Sequence, residues 1–532
     1  MATDTDSQQL DGFGRVSRTA GVAFRYLILA ATLFGIVMLG ALLVYVTAQA
    51  IQPFTADPGW HLTFFLTLVL PTAAVGRYIY RRNPAALGFG ATAVGALLVS
   101  LMFAGGAAMV FIDILSPMTW FAYVLALAVS AVAVVGFERL DERLPFVARL
   151  VASGAVVALA FYFIPSILLS LPIAIIGWII ILLTLGGGVA ALVALRVARG
   201  HGRRRGAFAG VAAFLGVGVI ALVGPFAGID PLPAAVLAAI SFVPTASYAA
   251  LTAVERPEKR VGLAFTGTVL GGAFLGAAVV DVLSFAGPDS WVDWGFFTNA
   301  HSGTAADAGL YPAIGGSILL MVAVAALSFP LGVGAAVYLE EYAPDNRFTR
   351  FIDVNISNLA GVPSVVYGIL GLGVFVTYLG RPMGTVLVGG ATLALLILPI
   401  VIISSREAIR SVPEETRQAS YGMGATRWQT VKNVVLPRAF PGIMTGTILS
   451  LGRAIGETAP LIMIGAPNVV YDLPSEFTSS VSAMPLQVYA WASLFASEEF
   501  YQQAVPAGVV VLLVVLLSMN SVAIVLRNRY EG

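Results

Sequence analysis

Two ionisable residues stand in a run that is otherwise apolar: Arg453 and Glu457, in LSLGRAIGETAPLIMIG. Four residues apart, they share one face of a helix and can neutralise one another. An unpaired arginine near the centre of a bilayer costs ~3 kcal/mol or more on insertion scales, so an intramembrane ion pair is a functional candidate. Two chemistries fit. The pair can staple neighbouring helices, or Arg453 can face a polar path and meet an anion while Glu457 restrains it at rest. Other reactive constellations are missing from the chain. Cysteine is absent, which removes thiol chemistry, and His61, His201 and His301 are scattered without metal-ligand spacing. No catalytic residue and no resident metal or cofactor is expected.

The elements that must position this pair are set by composition. Of 532 residues, 58% are hydrophobic and 11% charged, against about 25% charged in soluble domains. The chain is therefore expected to be an all-α polytopic membrane protein. Apolar runs long enough to cross a bilayer number about fourteen. Eight lie between residues 24 and 254 and six between 262 and 526; the eleventh is placed at 354–379 and the thirteenth at 440–464. A weak division falls at Leu171 and Pro172. Gly361, Pro363, Ser364 and Gly368 would interrupt or thin the eleventh span and free backbone groups to face a pathway.

Basic residues favour the cytoplasmic side of short loops. With the polar segment MATDTDSQQLDGFGRVSR read as a cytoplasmic tail, the clusters at 77–82, 196–205, 256–260 and 406–438 all fall inside, and Arg381 falls outside. Both termini are thus expected in the cytoplasm of a multi-pass cell-membrane protein. The basic residues form no continuous face, so no nucleic-acid partner is expected. The outer loops 286–310 and 465–503 carry acids and Trp291, Trp294, Tyr471, Tyr489 and Trp491, suited to an interfacial cap or a docking rim.

The segment 404–440 concentrates charge, caps and glycines. Ser411 with Glu414 fits a capping box, Gly422 and Gly424 end the helix it starts, and Thr426 with Gln429 repeats the box. The second helix is expected to run to Leu436, to be stopped by Pro437, and to be followed by re-entry into the membrane at Phe440. A helix, a glycine elbow and a helix is too charged for lipid and too regular for a slack linker; it is either a rigid knob for a partner or an ordinary loop.

The run Gln418-Ala419-Ser420, three residues, Gly424, nine residues, Val434, one residue, Leu436-Pro437 resembles the EAA loop of ABC importer permeases, with Gln418 in place of Glu and Ser420 in place of the second Ala. LGRAIGETAPLIMIG, AGVPSVVYGILGLGVF and YLEEYAPDN are similar to stretches of phosphate ABC permeases of the PstA and PstC kind, nearer to PstA. The resemblance spans roughly 262–532 and leaves the first 255 residues unexplained.

Two domains are thus expected: an eight-span region at 1–255 of unknown role, and, as the resemblance implies, a six-span type I permease domain at 256–532 with its core at about 311–526. The residues at 418–437 would dock on an ATPase as a coupling loop, and Arg453, Glu457 and Ser364 would line an anion path or gate. Implied partners are a second, PstC-like permease, two PstB-like ATPase subunits, an external PstS-like phosphate-binding protein, inorganic phosphate and membrane lipid. The chain holds no GxxxxGK[ST] run, and its lysines, Lys259 and Lys432, lie elsewhere. ATP and Mg would therefore be used by the partner, and this chain would not be an enzyme. Competing expectations are a permease for sulfate, molybdate or phosphonate, a fourteen-span secondary transporter, a membrane sensor, and a fusion of two permease partners. The last is disfavoured by the single EAA-like loop.

Overall fold

The computed structural model describes residues 18–140, 146–171, 176–495 and 497–531. The expected polar tail at 1–17 and the turn from Pro172 lie outside them. Among the described residues the chain is helical, with one isolated bridge between Thr385 and Ser480. Thirteen helices are long and apolar enough to cross a membrane, and fourteen if one bent pair counts as a span. The protein is a multi-pass membrane protein.

The first helix, Arg18–Ile51, is exposed along most of its length and packs along the last, Ala504–Glu531. In the region before residue 284, helices meet through small residues. A Cβ at Gly262 would fall 2.1 Å from the Ala86 carbonyl, and one at Gly272 would fall 2.3 Å from that of Thr67, so only glycine fits these crossings. The Gly262–Leu283 helix thereby packs on Pro84–Met109 and on the Pro58–Arg82 span. Pro84–Met109 in turn meets the N-terminal part of Tyr311–Val337: Gly315 lies against Met109 and Ile114, and the Tyr311 hydroxyl donates to the Asp113 carboxylate.

The axis of the C-terminal bundle is Val386–Arg410, the most buried of the spans, with 67% of its apolar window inside the protein. Tyr311–Val337 runs parallel to it, touching at Gly390 with Ala323 and at Gly332 with Val401. The helix carrying Arg453 runs antiparallel, touching at Gly442 with Ala408 and at Gly446 with Ser404.

Four expectations are corrected. The span placed at 354–379 is two helices, Arg347–Ala360 and Ser364–Tyr378, bent by 106°. Pro363 pushes its predecessor out of helical geometry and Gly361 terminates the first piece. Pro437 does not stop a helix, and Phe440 is not where one begins. Arg427–Ile455 is continuous, because Val431–Val435 adopt a wide turn in which the Leu436 N–H reaches the Val431 carbonyl. A wide turn of this kind takes up the clash and the missing donor that a proline brings. That helix ends at Ile455 rather than 464; Ala459–Met463 is a separate turn. Ser411 caps nothing: its hydroxyl donates to the Ala408 carbonyl, and Pro413 precedes the Glu414–Gly422 helix. The box at Thr426 and Gln429 is formed.

At the end of the bundle opposite the charged segment, loops 284–310 and 465–503 pack into a cap. Trp491 is fully buried and donates its indole N–H to His301 Nδ1 at 2.9 Å, among Tyr471, Phe495 and Phe500. Trp294 and Tyr471 remain largely exposed. Burial lowers the His301 pKa below its ordinary value near 6.5. The unfolded cap then binds a proton that the folded cap refuses. Its stability is full above about pH 6.5 and falls as pH drops through the interval below. Hydrogen exchange in 484–503 is expected to quicken between pH 7.5 and 5 beyond the intrinsic change. His301→Gln, which still accepts from Trp491, should remove that excess.

Candidate functional site

The charged segment folds as a knob on the end of the bundle. Glu414–Gly422 closes at Gly424, where φ is +84°. Gly424 N–H reaches the Tyr421 carbonyl at 2.9 Å and Ala425 N–H reaches that of Ser420 at 3.2 Å, the paired closure that demands a left-handed residue. The elbow is tied across by the hydroxyls of Ser420 and Thr430, 2.8 Å apart and both buried. The serine at the family's alanine position therefore holds the two helices together.

Gln418 lies exposed and donates to Glu414 at 2.7 Å; Ala419 is exposed beside it. Val434 and Leu436 are half-buried and Pro437 is exposed. Val431 is buried, and Val435 sits in an apolar cluster with Ile409, Val412, Ala439 and Ile443. One face of the knob is thus fixed to the bundle. The other presents Met423, 83% exposed, and Trp428, 51% exposed.

What fixes the knob is an ion network that the sequence reading did not single out. Arg417 pairs with Glu341 at 3.1 Å and donates to the Ile409 carbonyl at 2.9 Å. Next to it, Arg406 bridges Glu340 at 2.5 Å and Asp353 at 2.7 Å, and Arg410 reaches the same Glu340 at 2.8 Å. The side chains of Arg406 and Glu340 are each 12% exposed. Three elements are locked: the end of the Tyr311–Tyr342 span, the amphipathic Arg347–Ala360 helix, and Val386–Arg410. The signal in the sequence was the pair of acids in YLEEY against the arginines at 406–417, which lie too far apart along the chain for local rules to join.

Removing one partner of such a pair strands a buried charge and costs about 3–5 kcal/mol. Arg406→Met is therefore expected to lower the thermal unfolding midpoint in detergent markedly. Adding Glu340→Gln should restore part of the loss, and an unchanged midpoint in the single variant would contradict the network's role.

Arg453 and Glu457 do meet: Nε and Oε1 are 3.4 Å apart. Arg453 occupies the last turn of its helix and Glu457 lies just past its end, so the pair brackets a helix terminus. The Arg453 side chain is 51% exposed and that of Glu457 16%. Depth follows from register. Beside Val386–Arg410, Gly446 lies against Ser404 and each further residue loses one on the partner helix, which sets Arg453 level with about residue 397. The same reasoning from the contact of Gly371 with Thr392 sets Ser364, half-buried, level with about residue 399. Both lie near the middle of that 25-residue helix.

Two helix breaks, at 361–363 and 456–458, therefore sit at mid-depth. Their neighbourhoods are packed together: Gly368 lies against Pro460 and Met463, and Val362 and Tyr367 share an apolar cluster with Leu451 and Ala454. Non-helical backbone at such depth persists only where it is buried in protein or lines an aqueous path. The Arg453 cation also complements the partial negative charge of the helix end it occupies.

Residues 328–531 match the family described as binding-protein-dependent transport system inner membrane component. Among similar proteins, the probable ABC transporter permease protein YqgI of Bacillus subtilis is 36% identical over 208 residues, covering 39% of this chain and 70% of that protein. The phosphate transport system permease protein PstA 1 of Mycobacterium tuberculosis is 34% identical over 221 residues, covering 41% and 70%. PstA of Yersinia pestis is 32% identical over 222 residues, covering 41% and 72%. The chain belongs to the PstA-type ABC permeases. The matched stretch contains the knob, both mid-depth breaks and the Arg453–Glu457 pair, and the C-terminal region of the permease has the ABC importer permease fold. As a member of that family the permease works with other ABC subunits.

Proposed function

We propose that this permease conducts inorganic phosphate inward across the cell membrane, driven by ATP hydrolysis on separate subunits. The observation that carries the reading is the half-exposed guanidinium of Arg453 at mid-membrane depth, paired on one side with Glu457 and open on the other. A permanent cation in a low-dielectric passage selects an anion, and relatives named as phosphate permeases support phosphate as the cargo. The end bearing the knob and the basic clusters is assigned to the cytoplasm, with both termini there.

In this reading an ATPase subunit grips the exposed face at Gln418, Ala419, Met423 and Trp428. The continuous helix from Arg427 to Ile455 carries the displacement to Arg453 without a joint, and the Arg406 network carries it to Arg347–Ala360, ahead of the break before Ser364. A second permease subunit, a pair of ATPases using ATP and Mg, and an external phosphate-binding protein complete the machine. This chain contributes no catalytic residue or cofactor. The domain boundary near 255–256 belongs to the same proposal, the first region being an addition with its own packing.

The cargo is tested by uptake of radiolabelled phosphate into proteoliposomes holding the assembled complex. Unlabelled phosphate should compete and a tenfold excess of sulfate, molybdate or phosphonate should not. Stronger competition by one of those oxyanions would reassign the cargo.

A further inference from the structure

Asn520 lies on the last helix, Ala504–Glu531, directly against the residue before Arg453: its Oδ1 is 3.6 Å from where a Cβ at Gly452 would stand. Gly452 directly precedes Arg453, so the Asn520 carboxamide stands against the helix face that adjoins the one carrying the Arg453 guanidinium. Gly452 is buried, while Gly456 and Arg453 are exposed. By the register above Asn520 is at mid-depth, where a polar group without a partner costs several kcal/mol in hydrocarbon.

The Asn520 side chain is half-buried and makes no hydrogen bond among the described residues. Polar side chains on the facing helix are already satisfied internally: Thr447 donates to the Ile443 carbonyl and Ser450 to that of Gly446. Ser521, next to Asn520, donates to Leu517. Asn520 is thus a polar group beside the cation whose hydrogen bonds remain to be supplied.

We propose that Asn520 is a further contact for the transported oxyanion, its carboxamide N–H groups donating to the anion's oxygens while Arg453 supplies the charge. A carboxamide also offers a carbonyl oxygen, which can accept from the hydroxyl of a protonated oxyanion. Neutral donors beside a single arginine hold an anion without trapping it, as a passage requires. The inference rests on the reading of Arg453 as an anion contact.

The test is phosphate uptake by the complete complex, wild type against Asn520→Asp, Asn520→Gln and Asn520→Ala, at pH 7.5 and at pH 5.5, with co-purification of the ATPase subunit as the measure of assembly. Asn520→Asp preserves shape and places a negative charge beside Gly452. It should lose tenfold or more of the uptake rate at pH 7.5 and recover part at pH 5.5, relative to wild type, as the new carboxyl is protonated. Asn520→Gln should stay within about threefold of wild type. Uptake by Asn520→Asp at the wild-type rate at pH 7.5, or equal loss in the Asp and Gln variants with no recovery at low pH, overturns the proposal in favour of a packing role. If Asn520→Asp does not assemble, Asn520→Ala decides: a severalfold loss with normal assembly supports the contact and a wild-type rate overturns it. Failure of the wild-type complex to import phosphate would instead strike the proposed function.

Discussion

Arg453→Gln is expected to abolish phosphate uptake while leaving the permease assembled with its ATPase subunit. Glutamine keeps a polar head with N–H donors on a shorter side chain and removes the charge. The side chain is 51% exposed, so little packing is lost with it. On the proposed reading, what disappears is the attraction that draws a hydrated anion to mid-depth. A drop of at least a hundredfold corresponds to about 2.7 kcal/mol, within the ~3 kcal/mol scale for a charge at that depth.

Arg453→Gln combined with Glu457→Gln separates the two meanings of the pair. Had it served only to staple helices, restoring neutrality would restore uptake. With Arg453 as the anion contact, uptake stays lost in the double variant. Glu457→Gln alone should retain uptake and raise the rate of anion leak, because the restraint on Arg453 is gone. Normal uptake by Arg453→Gln would remove the anion path from this helix.

The second large effect is expected at Gly424. Its φ of +84° lies where a residue with a Cβ pays about 1–2 kcal/mol, yet a Cβ there would touch nothing. Gly424→Val therefore acts through the backbone alone, opening the closure between Tyr421 and Ala425 and turning the exposed face away from its partner. Phosphate-stimulated ATP hydrolysis and uptake should fall together by tenfold or more. Gly424→Asn, which tolerates the left-handed region far better, should keep most of both. Equal activity in the Val variant and wild type would show that the elbow does not couple the subunits. Gly424→Asp is the weaker choice, since it adds a charge on the docking face.

The span count and the helical nature of the fold were legible because a bilayer leaves the chain one way to satisfy its backbone, and twenty apolar residues announce it. The elbow at Gly424 and the box at Thr426 were legible because caps are written in neighbouring residues. Reading failed where a local rule was overridden at short range. Pro437 carries a strong stop signal, but the wide turn at Val431–Val435 moves the backbone out of its way. Ser411 sits three residues before Glu414 and still turns its hydroxyl back to Ala408. The network of Glu340, Glu341, Asp353, Arg406 and Arg417 was invisible for another reason: its members are 53 to 76 residues apart, and only the packing of three helices brings them together. The pairing of Arg453 with Glu457 was readable from spacing. That the helix ends between them, leaving a terminus at mid-membrane, was not, because nothing in AIGET except Gly456 marks an end.

ATP-driven import is tested most directly by initial phosphate uptake into proteoliposomes carrying the assembled complex and the external binding protein, with ATP supplied only on the side of the Glu414–Gly422 helix. Uptake toward that side is predicted to require ATP, and to be indifferent to collapse of the proton gradient. Uptake that proceeds without ATP, or that stops when the proton gradient is collapsed while ATP is present, would contradict it and favour a secondary transporter.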